Sequence, residues 1–366
     1  MTQLSLTNVP GVLACLLCAA GAHAQSPVIA FGTLDVTLEQ VGPAAPHRRI
    51  SSNSSGFGFR ASEDLGAGLR AFFQVEGSLS VDTGVASLGT RDTFVGLSGP
   101  FGTVRAGTMT TPLRALGGRL NFVPGGTSIA NNMGVMSTLN GMHAGLNSRL
   151  SNSIQYALPP FRGLAVTLVY APGELRPGGD DDSSYGMGIN YQAGPWHLGV
   201  AHENRGAQRK QALGSSNDWE SRAALRYTAG ELSWNLGWDR LASDGLYQGA
   251  RGGVARDAWS GAVMWRRARH DLSLNYSLAL GLDCSGNARS GQCAPAAVAT
   301  TGARQLALLY HYTFSKRTML LAFYSTIFNE ANGRYDYDVN PLVPALAARA
   351  PGSHLRALAL GIRHSY

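Results

Sequence analysis

The chain has 366 residues, 44% apolar, 8% aromatic and 14% charged, with 46 glycines and 16 prolines; this excludes disorder and collagen-like repeats, and no apolar run approaches the roughly 20 residues of a membrane-spanning helix. The net charge of +7 comes almost wholly from arginine, Lys210 and Lys316 being the only lysines. That charge is spread singly, with no basic face interleaved with aromatics, which excludes nucleic acid as a partner.

Residues 1–24 carry no Lys, Arg, Asp or Glu, run through the apolar core Val12-Leu13-Ala14-Cys15-Leu16-Leu17 and end in Ala22-His23-Ala24 before Gln25. This reads as a secretory signal cleaved between Ala24 and Gln25, leaving 25–366 as one mature domain.

From there the chain alternates polar and apolar residues in segments that predict sixteen strands: 28–41, 54–62, 69–82, 91–98, 103–109, 150–158, 164–171, 184–191, 196–203, 219–227, 231–240, 257–266, 271–281, 303–313, 318–329 and 354–366. In the third, Leu69, Ala71, Phe73 and Val75 fall on one face and Arg70, Gln74 and Glu76 on the other, Phe72 alone breaking the pattern. Every connection from an even strand to the next odd one is short, such as Gly99-Pro100-Phe101-Gly102 or Gln192-Ala193-Gly194-Pro195, and every other one is longer. Short turns on one side and long loops on the other predict an all-β protein: a 16-stranded antiparallel transmembrane β-barrel with periplasmic turns and extracellular loops. Strands in hydrocarbon must close to pair their backbone groups, and a barrel of this size leaves an aqueous lumen. A large sandwich or propeller would bury both faces of its strands, against the wet alternate face seen here.

The connection over 110–148 is far longer than compact domains ordinarily use, so it is either functional or a loose external loop. Cys284 and Cys293 bracket a small polar loop, which in an exported protein reads as a disulfide, the alternative being two free thiols. With no CxxC, HxH or HExxH, no metal or cofactor is expected. Gly56-Phe57-Gly58-Phe59-Arg60-Ala61 matches a nucleotide-binding pattern but lies in a strand; Asp180, Asp181 and Asp182 read as a solvated turn; no GxSxG elbow occurs, and no catalytic site is expected.

Several stretches are more specific: Ala30-Phe31-Gly32-Thr33-Leu34-Asp35; Phe57-Gly58-Phe59-Arg60-Ala61-Ser62-Glu63-Asp64-Leu65-Gly66; Gly96-Leu97-Ser98-Gly99-Pro100-Phe101-Gly102-Thr103-Val104-Arg105; Arg149 with Asn152-Ser153-Ile154-Gln155-Tyr156; and Phe314-Ser315-Lys316-Arg317-Thr318. In this order they resemble the trimeric general porins of Gram-negative outer membranes, of β-proteobacterial type, across the whole mature chain. The resemblance implies a homotrimer in outer-membrane lipid, a third loop folded into the lumen over 110–148, and passive diffusion of small hydrophilic solutes and anions. The last strand alternates Leu358, Leu360, Ile362 and His364 and ends in Tyr366, which looks like the signal read by the barrel assembly machinery, although the family usually ends in Phe.

Between 93 and 173 there is no Asp or Glu, yet Arg105, Arg114, Arg119, Arg149 and Arg162 lie there, and alternation turns Arg60 and Arg70 inward. The expected pore lining and constriction are therefore Arg60, Arg70, Arg105, Arg114, Arg119 and Arg149, giving a modest anion preference. Where the family often adds basic residues this chain has Gly56, Thr108 and Gln155. The competing expectation is that these arginines are solvated or paired across the lumen with Glu76 or other acids. Other functions left open are a substrate-selective channel, a non-conducting structural or adhesive barrel, and an outer-membrane hydrolase.

Overall fold

A strand that is wet on one face and greasy on the other needs a hydrogen-bonding neighbour on both edges if its outer face is to meet lipid. The chain meets that need by closing on itself. The computed structural model describes residues 27–42, 47–173, 183–206, 217–244, 246–247, 250–251, 253–285 and 293–366. The expected cleavage between Ala24 and Gln25 and the Asp180, Asp181 and Asp182 run lie outside them.

The staves are β1 (Ile29–Gly42), β2 (Gly56–Gly66, preceded by His47–Ser52), β3 (Leu69–Ser80), β4 (Thr93–Gly99), β5 (Gly102–Thr110), β6 (Arg149–Ala157), β7 (Leu164–Ala171) and β8 (Ser184–Ala193). They continue as β9 (Trp196–Arg205), β10 (Asp218–Ala229), β11 (Leu232–Ser243), β12 (Val254–Arg267), β13 (His270–Ala279), β14 (Ala303–Thr313), β15 (Thr318–Asn329) and β16 (Leu355–Ser365). Each pairs antiparallel with the next, and β16 pairs with β1 from Thr33↔Ser365 to Gly42↔Arg356, closing a 16-stranded barrel.

The two boundaries that depart most from expectation are both in β2. β2 begins earlier than 54: His47–Ser52 already pairs with the upper half of β1, and the stave is interrupted where residues 53–55 fold around Asp35, whose carbonyl accepts from Asn53 N (2.7 Å) and Ser55 Oγ (3.1 Å). Arg48, Arg49, Ser51 and Ser52 have no apolar alternation to betray a strand; only Ile50 is an exposed apolar residue there. At the other end β2 runs through Glu63 and Asp64 to Gly66, and the turn shrinks to Ala67-Gly68, both at positive φ (51° and 77°), the conformation of a two-residue hairpin. Charged residues there mark a strand leaving the membrane rather than a turn.

The outward face is a continuous apolar belt. Leu236, Leu358, Leu360 and Ile362 are among its most exposed side chains. Aromatic girdles border it: Trp196, Tyr227 and Trp234 stack in series at the turn end (centroids 4.3 and 5.8 Å), and Tyr170, Tyr185, Trp219, Trp238 and Trp259 lie toward the loop end. This is the profile of a barrel spanning an outer membrane. The terminal Tyr366 completes the closure: its backbone exchanges hydrogen bonds with Gly32 (3.1 and 3.4 Å), and its ring lies where a side chain on Gly32 would be. That contact supplies a packing reason for an aromatic last residue. Cys284 and Cys293 are bonded to each other in the loop between β13 and β14.

Candidate functional site

The connection over 111–148 lies inside the barrel. It contains α1 (Pro112–Gly117), opened by Thr111, whose hydroxyl accepts from Arg114 N at 3.3 Å, and α2 (Met133–Met136). Leu113, Leu116, Leu120, Ile129, Val135, Met136 and Leu139 are all buried, so the segment packs like a core rather than a loose loop. The wall makes room for it: Pro112 sits over Gly188 of β8, Leu116 over Gly199 of β9 and Leu120 over Gly237 of β11, positions where any side chain would collide.

Inward side chains of β10–β14 then satisfy the loop's backbone. Arg222 donates to Leu113 O (3.0 Å), Arg256 to Met136 O (2.6 Å), Asn235 and Arg226 to Arg119 O (2.9 and 3.0 Å), and Gln305 to the carbonyls of Ile129 and Asn131 (3.2 and 3.0 Å). Arg222 is fully buried and also bonds Asp239 (2.8 Å) and Glu220, while Arg256 reaches Asp239 at 3.4 Å. Arg222 and Arg256 are thus enclosed and matched by acids, whereas the half-buried Arg226 meets Asn235, loop carbonyls and the Phe122 ring, with no acid bonded to it among the described residues.

The other wall, β2–β6, is left bare. Arg60 and Arg70 border a cavity of about 770 Å³ at the turn end, with the Arg60 guanidinium 5.1 Å from the Phe31 ring centre. Arg105 lies 5.2 Å from the Phe94 ring centre and donates to Gln155 Oε1, whose amide in turn donates to Thr110 O (3.2 Å). Higher up, Arg91, Arg114, Arg149 and Asp338 line a cavity of about 310 Å³. There Arg149 pairs with Asp92 (2.6 Å), Arg91 pairs with Glu76, and Arg114 donates to Asn147 O (2.6 Å). Burial and then the neighbouring Arg149 lower the pKa of Arg114.

A model of the Gram-negative porin family matches residues 11–332. The chain belongs to the Gram-negative porin family. The porin is 32% identical over 162 residues to the major outer membrane protein P.IB of Neisseria gonorrhoeae, a match covering 44% of each chain, so it spans less than half the length of that relative. Its fold is that of the anion-selective porin from Comamonas acidovorans (TM-score 0.76, 24% identity, 93% of this chain and 100% of that one). It is also that of the trimer form of OmpT from Vibrio cholerae (TM-score 0.65, 14% identity, 93% and 99%).

In this porin the six arginines singled out by sequence do not form one cluster. Arg114 and Arg149 meet at the upper cavity, Arg60 and Arg70 at the lower, and Arg105 stands on the same wall. Arg119 points the other way, its Nη1 3.0 Å from His197 Nε2 of β9. The acid-free stretch of sequence is not acid-free in space, because Asp92, one residue outside it, neutralises Arg149, and Asp338 arrives from the loop before β16. Glu76, named in the competing expectation as a partner for these arginines, pairs with Arg91 instead. Sequence reasoning missed Arg91, Arg222, Arg226 and Arg256; in β10 the run Arg222-Ala223-Ala224-Leu225-Arg226-Tyr227 carried the signal, since both arginines share the polar face.

Proposed function

We propose that this porin is a water-filled channel for passive diffusion of small hydrophilic solutes, with a modest preference for anions. The observation that carries the reading is the bare wall: among the described residues, Arg60, Arg70 and Arg105 have no ion-pair partner, whereas the fully enclosed Arg222 and Arg256 of the other wall are matched by acids. Arg114 at the upper cavity adds to the same field. In water a charge at 4 Å is worth only about 1 kcal/mol, and 0.1 M salt screens beyond about 10 Å, so the preference is small and fades as salt rises. The Comamonas porin whose fold this barrel shares is anion-selective, in line with this reading.

The same reading makes the chain an exported protein cleaved between Ala24 and Gln25, folded through the assembly machinery from its Tyr366 end, and associated as a homotrimer in outer-membrane lipid. Porins are channels, and no enzymatic role is proposed. The deciding measurement is the zero-current potential across a planar bilayer in a KCl gradient. Anion sign at low salt, shrinking as salt rises, is expected; cation sign at low salt overturns it.

A further inference from the structure

Simple diffusion does not account for the rings on the bare wall. Lumen-facing positions of a barrel strand are ordinarily polar, yet Phe31, Phe72 and Phe94 all face the lumen. Phe31 carries Arg60 on its face and Phe94 carries Arg105, while Phe72 lies in register with Ser62 and with Gly96, itself in register with Arg105. Phe72 was the one residue that broke the alternation of β3. The wall is shaped for these rings: a side chain on Gly58 would meet Phe31 Cζ at 2.8 Å, and one on Gly96 would meet Phe72 Cε2 at 2.7 Å. Phe72 and Phe94 meet edge to face, centroids 6.1 Å apart at 82°. Phe72 and Phe94 thus border the same 770 Å³ cavity as Arg60 and Arg70, whose lining holds a single carboxylate, Asp64.

We propose that this cavity is a binding subsite for aromatic carboxylates. A guanidinium presents paired N–H donors that match the two oxygens of a carboxylate, and stacking on an aromatic face leaves that donor edge free. The rings of Phe72 and Phe94 offer a second aromatic ring the offset or edge contacts it prefers. An aliphatic carboxylate engages only the arginines, an uncharged aromatic only the rings; the site selects molecules carrying both. The proposal rests on the reading of this wall as an open anion path and names the solute class that path retains.

The test compares benzoate, cyclohexanecarboxylate and acetate as blockers of KCl current through the channel in planar bilayers. In parallel, equilibrium dialysis of labelled benzoate against the detergent-solubilised protein measures binding without conduction. Benzoate is expected to half-block at roughly tenfold lower concentration than acetate, a ratio equal to about 1.4 kcal/mol, with cyclohexanecarboxylate in between. Phe72→Leu is expected to cut the benzoate-to-acetate ratio about fivefold, and Arg70→Gln to weaken all three. Equal block by benzoate and acetate, no saturable benzoate binding in dialysis, or a Phe72→Leu variant that weakens both ions alike overturns the subsite. In the last case the ring merely braces its neighbours. Absence of any KCl current overturns the channel reading alone, since dialysis still decides the subsite. Should Phe72→Leu fail to assemble, Arg60→Gln is the second variant, expected to weaken benzoate binding several-fold and overturning the proposal if it leaves binding unchanged.

Discussion

The two halves of the inner wall are built by the same alternation and from the same basic residue, yet they do opposite things with it. On β10–β13, Arg222 and Arg256 are enclosed beneath the inward loop, Arg222 bonded to Glu220 and Asp239 and Arg256 to Asp239, and each also donates to a loop carbonyl, that of Leu113 or Met136. On β2–β5, Arg60 and Arg105 face the lumen beside the rings of Phe31 and Phe94, Arg70 lines the same cavity as Arg60, and none of the three has an acid bonded to it among the described residues. The difference lies in what covers each wall. Where the loop excludes water completely, as around Arg222 and Arg256, an unpaired charge is prohibitive and acids accompany the arginines; where water fills the lumen the charge is tolerated and stays available to passing ions.

The sharpest break in that contrast is Arg222→Leu. Removing the cation strands Glu220 in a dry site, leaves Asp239 with only Arg256 at 3.4 Å, and releases the loop at Leu113 and Ser137. A loss of about 3–5 kcal/mol is expected, read as a lower unfolding temperature on heat-modifiability gels together with a larger and noisier single-channel conductance. Adding Glu220→Gln to Arg222→Leu removes the stranded charge while leaving the Arg256–Asp239 pair intact, and should recover most of the stability but not the conductance. Unchanged conductance in both variants would mean that Arg222 does not hold the loop.

A smaller effect on the covered side comes from the Cys284–Cys293 bridge, which ties the loop above β13 and β14. Reduction should remove roughly 2–3 kcal/mol of local order and speed proteolysis of that loop, leaving ion preference untouched. Detection of two free thiols in the unreduced, denatured protein contradicts the bridge.

On the bare side the pattern inverts. Arg60→Gln or Arg70→Gln, both at exposed positions, should change stability by no more than about 0.5 kcal/mol, yet move the zero-current potential toward zero in a dilute KCl gradient. That shift should disappear in concentrated salt. The smallest effect is expected from Tyr366→Phe, which keeps the ring over Gly32 and should assemble as well as the parent; Tyr366→Ala, which exposes that position, should lower the yield of folded barrel in outer membranes.

Much of this organisation was legible in the chain itself. Period-two alternation is a local property, so strand number, the short and long sides of the barrel, and the inward aim of Arg60 and Arg70 could be read without any tertiary information. The stave over His47–Ser52 escaped because its inward Arg49 and Ser51 have only Ile50 as an outward apolar contrast, and it is held instead by register with β1 and by the Arg49–Glu39 pair at 2.7 Å.

What alternation cannot carry is which inward residue meets which. Arg149 and Asp92 are 57 positions apart, and Arg222 and Leu113 are 109 apart. Those meetings exist only after sixteen strands have closed and the loop has turned inward. The sequence alone determines that the lumen is lined by arginines, because facing is set residue by residue. Closure decides which arginines are neutralised, which are buried and which remain to act on an ion, because neutralisation depends on the distance between charges and the water between them.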